Sequence, residues 1–533
     1  MGGWFLAEAR RVLRLAAPVA AAYLLNKTTS LVSLKFAGEL GTDELAAASL
    51  AQTLWNVTGI SLLVGMSIGM QTVIAQAFGS KDFHAVGVTV HRAAFLFVLL
   101  LVPLSALHCT MGPVLRGVGI PPVIAAHAAA YILRLVPGLW AYGGITVVVC
   151  WCQSIGVPSP GAWAWGGGWV LHVGFTYAGF HAGGLNGIAY AASASTIAVL
   201  ALLCLIVRFQ GVTRTTWVKP SRDSLRDLGP LVLLSLPGLL IMSEWWASEI
   251  SIIMAGKLGE AGEGGAQLSA MAIYQSCNSF FFMLSMCLGV AGATRTGNEL
   301  GRGEAVAAKR AALTALLLQQ GVGLLVGLLI FAIRRRVGAI FVDDALVSEL
   351  VAKNLSVLAV YVVFDGLQVS LVVAVCSGWR RHGLTSPAPV SVQSVATGIL
   401  KGVGRQRVAV PVVLFAYYCV GLPLAYFFGF RRGWGTVGLC TGMLLGTITH
   451  TALILVPLVR LDWDEEVEIC RRRLKAEKLP TLSSFREAGE VELQGSDGDD
   501  AGGAEGRGGE DRLLLLADEL DPEDAPLLRL NNN

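Results

Sequence analysis

The stretch "LLIMSEWWASEISIIMAG" (residues 239–256) is apolar enough to cross a lipid bilayer, yet it carries two carboxylates, Glu244 and Glu249. A bilayer core about 30 Å thick needs roughly 20 apolar residues per helix, and one charge near its centre costs roughly 2.5 to 3.5 kcal/mol. Two acids in one such helix must therefore face protein, face a water-filled cavity, or be protonated. The stretch predicts a membrane helix whose acids have a function.

The helical positions of the two acids suggest different roles for them. Five residues place Glu244 and Glu249 about 140° apart around a helix and about 7.5 Å apart along its axis. We expect one acid, Glu244, to face a central cavity and the other to be tied into its own half of the protein. Trp245 adds an aromatic face that attracts cations.

An acid in such a cavity suggests a transport mechanism. Burial favours the neutral form of a carboxyl group, so a proton and an organic cation compete for it. Competition for one site that opens to either side of the membrane in turn suffices for antiport.

The whole chain has the composition of a membrane protein. Of its 533 residues, 54% are hydrophobic and only 14% are charged, which excludes an ordinary soluble domain. Apolar windows predict an all-α, polytopic membrane protein with about twelve transmembrane helices. The predicted spans are 15–37, 46–74, 86–108, 123–150, 162–181, 185–207, 230–255, 266–291, 309–333, 350–375, 408–430 and 435–459.

Two halves of the chain repeat each other. "LAAP" ending at Pro18 recurs as "LSLP" ending at Pro237, and "FAGELG" (36–41) recurs as "MAGKLG" (254–259). Matches in parallel order predict two six-helix lobes of equal topology and a mechanism of alternating access. The predicted parts are an N-lobe (1–207), a basic cytosolic linker (208–229), a C-lobe (230–459) and an acidic, disordered cytosolic tail (460–533).

Charge predicts how the chain lies in its membrane. Lys and Arg concentrate in alternate connections, which places both termini in the cytosol. From Leu479 onward there are 14 Asp or Glu against 4 Arg or Lys, a composition typical of disorder. In this tail "EDRLLL" and "EDAPLL" fit an acidic-dileucine pattern read by sorting adaptors. We expect a multi-pass protein of the plasma membrane or of a vacuolar or endosomal membrane.

Further polar residues fall inside predicted spans. Asn26 and Lys27 lie at the repeat position of Glu244 and Trp245, and the lysine amine either snorkels, pairs with an acid or faces the substrate. Asp365 is a third acid, in the tenth span. Asn56 begins a sequon within an apolar span, where glycosylation is not expected, and we include it among the candidate binding residues. The histidines of the spans, such as His172, are more often packing residues than proton carriers.

Several motifs together resemble a known family. They are "FAGELGTDELAAASLA" (36–51), "NVTGISLLVGMSIGMQTVIAQAFGS" (56–80), "YILRLVPGLWAYG" (131–143), "QSIGVPSPGAW" (153–163), "SEWWASE" (243–249), "ATRTGNELGRG" (293–303) and "GILKGVGRQ" (398–406). The chain resembles the multidrug and toxic compound extrusion (MATE) transporters, especially the eukaryotic branch. The resemblance implies a two-lobed, V-shaped fold that exports cationic or amphiphilic compounds in exchange for protons, with sodium as the alternative coupling ion.

The resemblance also assigns residues and shows departures. It implies that Glu244, Glu249 and Asp365 handle substrate and protons. Gln275, after Tyr274, stands where animal members have glutamate, and both join the candidate substrate-binding residues. The run 376–397 interrupts the expected sequence between the tenth span and "GILKGVGRQ" and is either a loop insertion or non-coding sequence in the gene model.

Other function classes are less compatible with the sequence. No "GxxxxGK[ST]" motif is present, which removes ATP-driven transport by this chain alone. We expect no enzymatic activity, no catalytic residues, no metal site, no cofactor and no nucleic-acid partner, and a functional monomer. The alternative within the same superfamily is a flippase for a lipid-linked precursor, which would need a basic cavity. Lys27 and Arg134 are compatible with it, and a non-transporting scaffold or receptor is a weaker alternative.

Overall fold

A computed structural model describes residues 2–220, 224, 228–258, 264–341, 344–366 and 393–478. Within these ranges the chain forms helices and turns, with no strand. The helices that we number are α1 Gly2–Leu40, α2 (42–79), α3 Phe83–Cys109, α4 Pro122–Ser154, α5 (159–182), α6 (185–209), α7 Leu228–Ala255, α8 Gly264–Gly301, α9 Ala305–Phe341, α10 Ala345–Gly366, α11 Gln393–Val403, α12 Gln406–Arg431, α13 Gly435–Val459 and α14 Trp463–Lys478.

The helices confirm the all-α, polytopic prediction. Ten helical stretches of the described residues are long and apolar enough to cross a membrane. One of them, Ser159–Phe209, is two helices, α5 and α6, which meet at Gly183 and Gly184. Gly184 has a φ of 54°, a conformation that favours glycine. With α1, which is more polar, the helices account for all twelve predicted spans.

Helices α1–α6 form the N-lobe and α7–α13 form the C-lobe. The lobes meet where α2 crosses α7, because Gly65 lies directly against Gly238 and the backbone of Leu239. A Cβ atom at either glycine would collide with the backbone of the other helix. Small residues at this crossing allow the two helices to approach closely inside a bilayer.

Further contacts between the lobes lie near the end of α2, on the side of the membrane that also carries residues 212–218 and α14, which we call the linker side. Thr72 donates a hydrogen bond to the carbonyl of Lys401 (2.6 Å), and Gln76 donates to the carbonyl of Gly402 (2.9 Å). On α1, Glu8 forms a bidentate ion pair with Arg295 of α8, with an Nε–Oε1 distance of 2.9 Å. The described lobes are therefore joined on the linker side.

Helix α7 is broken just before its acids. It runs to Ile241, makes a tight turn at Met242 and starts again at Ser243. The turn is of 3₁₀ type, because the Trp245 amide donates to the Met242 carbonyl (3.0 Å). The hydroxyl of Tyr418 donates to the carbonyl of Ser243 (2.9 Å) and so supplies a partner at the break. The break fixes the position from which the Glu244 side chain extends.

The structure corrects two predicted boundaries. Residues 463–478, assigned to a disordered tail (460–533), form the helix α14, which packs because Val467, Cys470 and Leu474 lie on one buried face. Within the proposed insertion (376–397), residues 393–397 begin the helix α11, in which Val395 and Ala396 are fully buried. The rest of that insertion, the end of the tenth span and the tail from 479 lie outside the described residues.

Candidate substrate cavity

A polar cavity lies between the lobes near the centre of the helical bundle. It consists of two adjoining parts of about 130 and 170 Å³. The residues that line both parts are Tyr23, Asn26, Val64, Tyr142, Glu244, Trp245, Phe282 and Met286. These residues come from α1, α2, α4, α7 and α8, so both lobes contribute to one site.

Both acids of α7 line this cavity. Glu244 borders both parts and Glu249 borders the larger part, together with Trp245 and Ser248. These four positions cover an arc of about 140° around α7. The expectation that only one acid faces the cavity is therefore wrong, because the cavity follows the helix through that whole arc. Glu244 does face the cavity, as expected.

Each acid has a lysine opposite it. Lys27 of α1 lines the larger part of the cavity and interacts electrostatically with Glu249. Lys401 of α11 lines the smaller part and interacts electrostatically with Glu244. Of the three roles considered for Lys27, the structure favours facing the cavity, where its ammonium lies within electrostatic reach of Glu249. Opposite charges across a partly dehydrated cavity lower the cost of keeping either group ionised.

Amide and aromatic side chains complete the larger part of the cavity. Gln275 of α8 lines it, as does Asn56, which begins the π-helical turn Asn56–Ile60 of α2. Trp245 contacts Phe282 edge to face, with ring centroids 6.1 Å apart. Its neighbour Trp246 turns to α2 and donates to the Ser61 hydroxyl (3.2 Å). Neutral donors and acceptors beside the charges give the site several ways to orient a ligand.

One candidate residue, Tyr274, does not line the cavity, and the structure does not describe the side chain of another, Asp365. Tyr274 is buried in the core of the C-lobe, where only 3% of its surface is exposed, beside Cys440. Neighbouring residues on a helix point about 100° apart, so Gln275 faces the cavity and Tyr274 does not. Asp365 lies on α10, one turn after Tyr361, which borders the cavity. The side chain of Asp365 lies outside the described residues.

Sequence reasoning missed Lys401 as a cavity residue. It lies in "GILKGV", between the predicted spans 350–375 and 408–430, where a lysine is typical of a cytosolic connection. The available signal was an isolated lysine among apolar and small residues on a short amphipathic helix. Arg134, which was counted toward a basic cavity, instead lies 5.3 Å from the Tyr190 ring and donates to the carbonyl of Ala130 (2.6 Å).

Solved structures share this fold. The crystal structure of the eukaryotic MATE transporter AtDTX14 matches with a TM-score of 0.79 over 88% of this chain and 99% of that chain, at 23% sequence identity. The crystal structure of a mutant of the Vibrio cholerae MATE transporter VcmN matches with a TM-score of 0.72 over 87% of this chain and 99% of that chain, at 18% identity. These matches show that the chain has the fold of a multi-pass membrane protein with two helical lobes.

Sequence comparisons identify the family. The MatE family model matches residues 18–178 and 239–378, more than half of the chain. "Multidrug and toxin extrusion protein 2" of Oryctolagus cuniculus is 32% identical over 462 residues, 86% of this chain and 72% of that protein. "Protein DETOXIFICATION 51" of Arabidopsis thaliana is 30% identical over 464 residues, 86% of this chain and 82% of that protein. The chain belongs to the MatE family of transporters.

Proposed function

We propose that the protein exports organic cations or amphiphilic metabolites in exchange for protons, by alternating access of its two lobes. The observation that carries this proposal is that Glu244 and Glu249 both line the cavity between the lobes. The names of the rabbit and plant relatives, which refer to extrusion and detoxification, support export as the direction of transport.

The charges of the cavity supply the competition that antiport requires. When both acids are ionised, each faces a lysine, and a bound cation adds favourable contacts with the carboxylates and with the ring of Trp245. A proton on either acid removes that attraction and leaves the lysine charge in place, which repels the cation. Protonation therefore expels the cation, and deprotonation on the other side permits the next one to bind.

The arrangement of the lobes suggests which side of the membrane is closed. Contacts between the lobes on the linker side include the Glu8–Arg295 ion pair and the hydrogen bonds of Thr72 and Gln76. The excess of Lys and Arg on that side supports its placement in the cytosol. We assign the structure to a state closed toward the cytosol, with the cavity reached from the opposite side.

The test uses the full-length protein in proteoliposomes loaded at acidic pH and diluted into alkaline buffer containing tetraethylammonium. We expect uptake driven by the pH gradient, and a loss of at least about tenfold in Glu244→Gln and in Glu249→Gln, because an uncharged amide no longer exchanges a proton for a cation. A sodium gradient at equal pH tests the alternative coupling ion.

The matched control for this test is Glu349→Gln. Glu349 pairs with Lys353 on the exposed surface, far in sequence from the acids of the cavity, and 64% of its side chain is exposed. This variant should transport like the wild type. Wild-type uptake by Glu244→Gln would refute the coupling role of that acid, and uptake driven by sodium alone would refute proton coupling.

One observation favours a second candidate, the flippase for a lipid-linked precursor. Lys27 and Lys401 both line the cavity, and two ammonium groups suit a phosphate-bearing headgroup. This function predicts gradient-independent translocation of a fluorescent polyprenyl phosphate and its loss in the double variant Lys27→Met, Lys401→Met. The two acids beside these lysines disfavour an anionic headgroup, so antiport of cations remains the main proposal.

A further inference from the structure

A second, smaller cavity of about 60 Å³ lies inside the N-lobe, around the buried imidazole of His172 on α5. Only 3% of the His172 surface is exposed. Helices α1, α2, α4 and α6 complete the walls. The polar residues that line the cavity include Asn26, Thr29, Ser33, Tyr142, His172 and Ser195. A cavity of this size and polarity holds one or a few water molecules.

Both ring nitrogens of His172 have close polar partners. Nε2 lies 3.0 Å from the carbonyl oxygen of Thr29, and Nδ1 lies 2.7 Å from the hydroxyl oxygen of Ser195. A carbonyl oxygen only accepts hydrogen bonds, so Nε2 carries a hydrogen and donates to Thr29. The neutral ring therefore has its free lone pair at Nδ1, directed at Ser195.

Ser195 can form a hydrogen bond with the His172 ring in either protonation state. Its hydroxyl oxygen also lies 2.9 Å from the carbonyl oxygen of Ala192. When His172 is neutral, the Ser195 hydroxyl donates to Nδ1. When Nδ1 takes up a proton, the ring donates to the Ser195 oxygen, and the hydroxyl hydrogen turns to Ala192. The site thus keeps its hydrogen bonds in both states, which a histidine that only packs does not require.

Few other titratable groups face the imidazole. Tyr142 of α4 lines the cavity, and Tyr131 of the same helix bonds to Ser33, whose hydroxyl lies 3.2 Å from Nε2. From α1, Lys27 borders the central cavity instead. His108 of α3 stacks on Trp55 behind the α2 wall. Within residues 2–220, no carboxylate, lysine or arginine lines this cavity, so its proton balance depends on His172.

The small cavity adjoins the central one. Asn26 and Tyr142 line both, and the amide of Asn26 donates to the Tyr142 hydroxyl at 3.4 Å. A bond of this length is weak, so the pair separates the two cavities by side chains that can turn aside. Water and a hydroxyl group in line are a sufficient path for a proton between the central cavity and Nδ1.

We propose that His172 is a second proton-binding site, in the N-lobe, and that it loads and releases one proton per transport cycle through the central cavity. The proposal rests on the proposed function, since it adds a proton to the same exchange. The acids of the C-lobe compete directly with the substrate, whereas His172 lies behind Asn26 and Tyr142 and binds its proton apart from the substrate.

The test is the steady-state accumulation of tetraethylammonium in proteoliposomes at a fixed pH gradient, with the membrane potential held at zero by valinomycin and equal potassium. At equilibrium the accumulation ratio rises by a factor of ten per exchanged proton and per pH unit. His172→Gln keeps a donor toward Thr29 and removes the titration. We expect its accumulation to fall about tenfold for a gradient of about one pH unit.

The matched control is His450→Gln in α13. His450 is also a buried histidine of a membrane helix, and its ring nitrogens have no hydrogen-bond partner in the described structure. Its substitution should therefore leave the accumulation of tetraethylammonium unchanged. Ser195→Ala serves as a second variant, because it removes the acceptor for Nδ1–H and should lower accumulation in the same direction as His172→Gln.

The outcomes separate this proposal from the proposed function. Accumulation by His172→Gln and Ser195→Ala equal to the wild type, with Glu244→Gln inactive, would refute the second proton site and leave antiport intact. No gradient-driven accumulation by the folded wild type would refute the proposed function itself. If His172→Gln does not fold, the Ser195→Ala result alone decides: an unchanged ratio overturns the proposal.

Discussion

The first helices of the two lobes, α1 and α7, face one cavity from opposite sides with different chemistry. Helix α7 carries Glu244 and Glu249, whereas α1 carries Asn26 and Lys27 at the corresponding position. Helix α1 is continuous despite Pro18, but α7 breaks at Met242 immediately before its acids. The basic group on the first helix of one lobe therefore faces an acid on the first helix of the other.

Charged groups of the two lobes face each other in two places. In the cavity, Lys27 of the N-lobe faces Glu249 of the C-lobe. On the linker side, Glu8 of the N-lobe contacts Arg295, which also pairs with Glu299 of its own helix (2.7 Å). The first pair lies in a cavity that admits a ligand, and the second is buried in a closed interface. We expect the second to contribute more to stability and the first to binding.

The largest effect is expected for Arg295→Met, which should lower the stability of the protein. Removal of the guanidinium leaves Glu8 and Glu299, both nearly buried, with only their more exposed partners Arg11 and Arg302. Breaking a buried ion pair by deleting one partner costs roughly 3 kcal/mol or more, so thermal unfolding in detergent should occur at a clearly lower temperature. Arg472→Met, which removes an exposed pair with Glu468, should change stability by less than about 1 kcal/mol. Equal effects of the two variants would contradict the proposed importance of the interface.

The next effect is that of Lys27→Met on binding. Loss of the ammonium leaves Glu249 without its partner across the cavity, and a tetraethylammonium ion no longer competes with a resident cation. We expect the Kd for tetraethylammonium at alkaline pH to fall about tenfold, which is about 1.4 kcal/mol. Lys257→Met, on the turn after α7 and outside the cavity, is the control. A weaker affinity in Lys27→Met would mean that this lysine contacts the substrate favourably.

Most of the fold could be predicted because it depends on long apolar runs. The motifs "LSLP" and "MAGKLG" predict that α7 is the counterpart of α1, and the cost of burying Glu244 predicts that it lines a cavity. Gly183 and Gly184 separate α5 from α6 between the predicted spans 162–181 and 185–207. The hydrophobicity of a segment depends only on its own residues, so a membrane span can be predicted without knowing which helices pack against it.

The features that the sequence did not predict depend on which helices pack against each other. Nothing in the local sequence shows that Lys401 faces Glu244, because the two residues lie on different helices far apart in sequence. The choice between Tyr274 and Gln275 depends on the rotation of α8, which the packing of the whole lobe decides. Helix α14 was missed because charge dominates its composition, while only a narrow apolar face is buried.

Helix α14 contacts both lobes, and the smallest predicted effect concerns its pH dependence. Arg473 donates to Gln76 of the N-lobe, and Glu466 pairs with Arg405 of the C-lobe (2.7 Å). Burial raises the pKa of Glu466 above its usual range, and Arg405 opposes this shift without cancelling it. An acid whose pKa is raised in the folded state stabilises that state below its unfolded pKa, and this stability is lost as pH rises through the folded pKa.

Glu466→Gln should therefore hold α14 in place more firmly at alkaline pH. Cys470 is a buried thiol of the same helix. The measurement is the rate at which Cys470 is alkylated, which mass spectrometry follows. The rate for the variant is divided by the rate for the wild type at each pH. We expect a ratio near one at about pH 5 that falls two- to threefold by about pH 8. Glu468→Gln, whose side chain is exposed, should give a ratio near one throughout. Faster alkylation of Glu466→Gln at alkaline pH would show instead that the ionised pair with Arg405 holds the helix against the lobes.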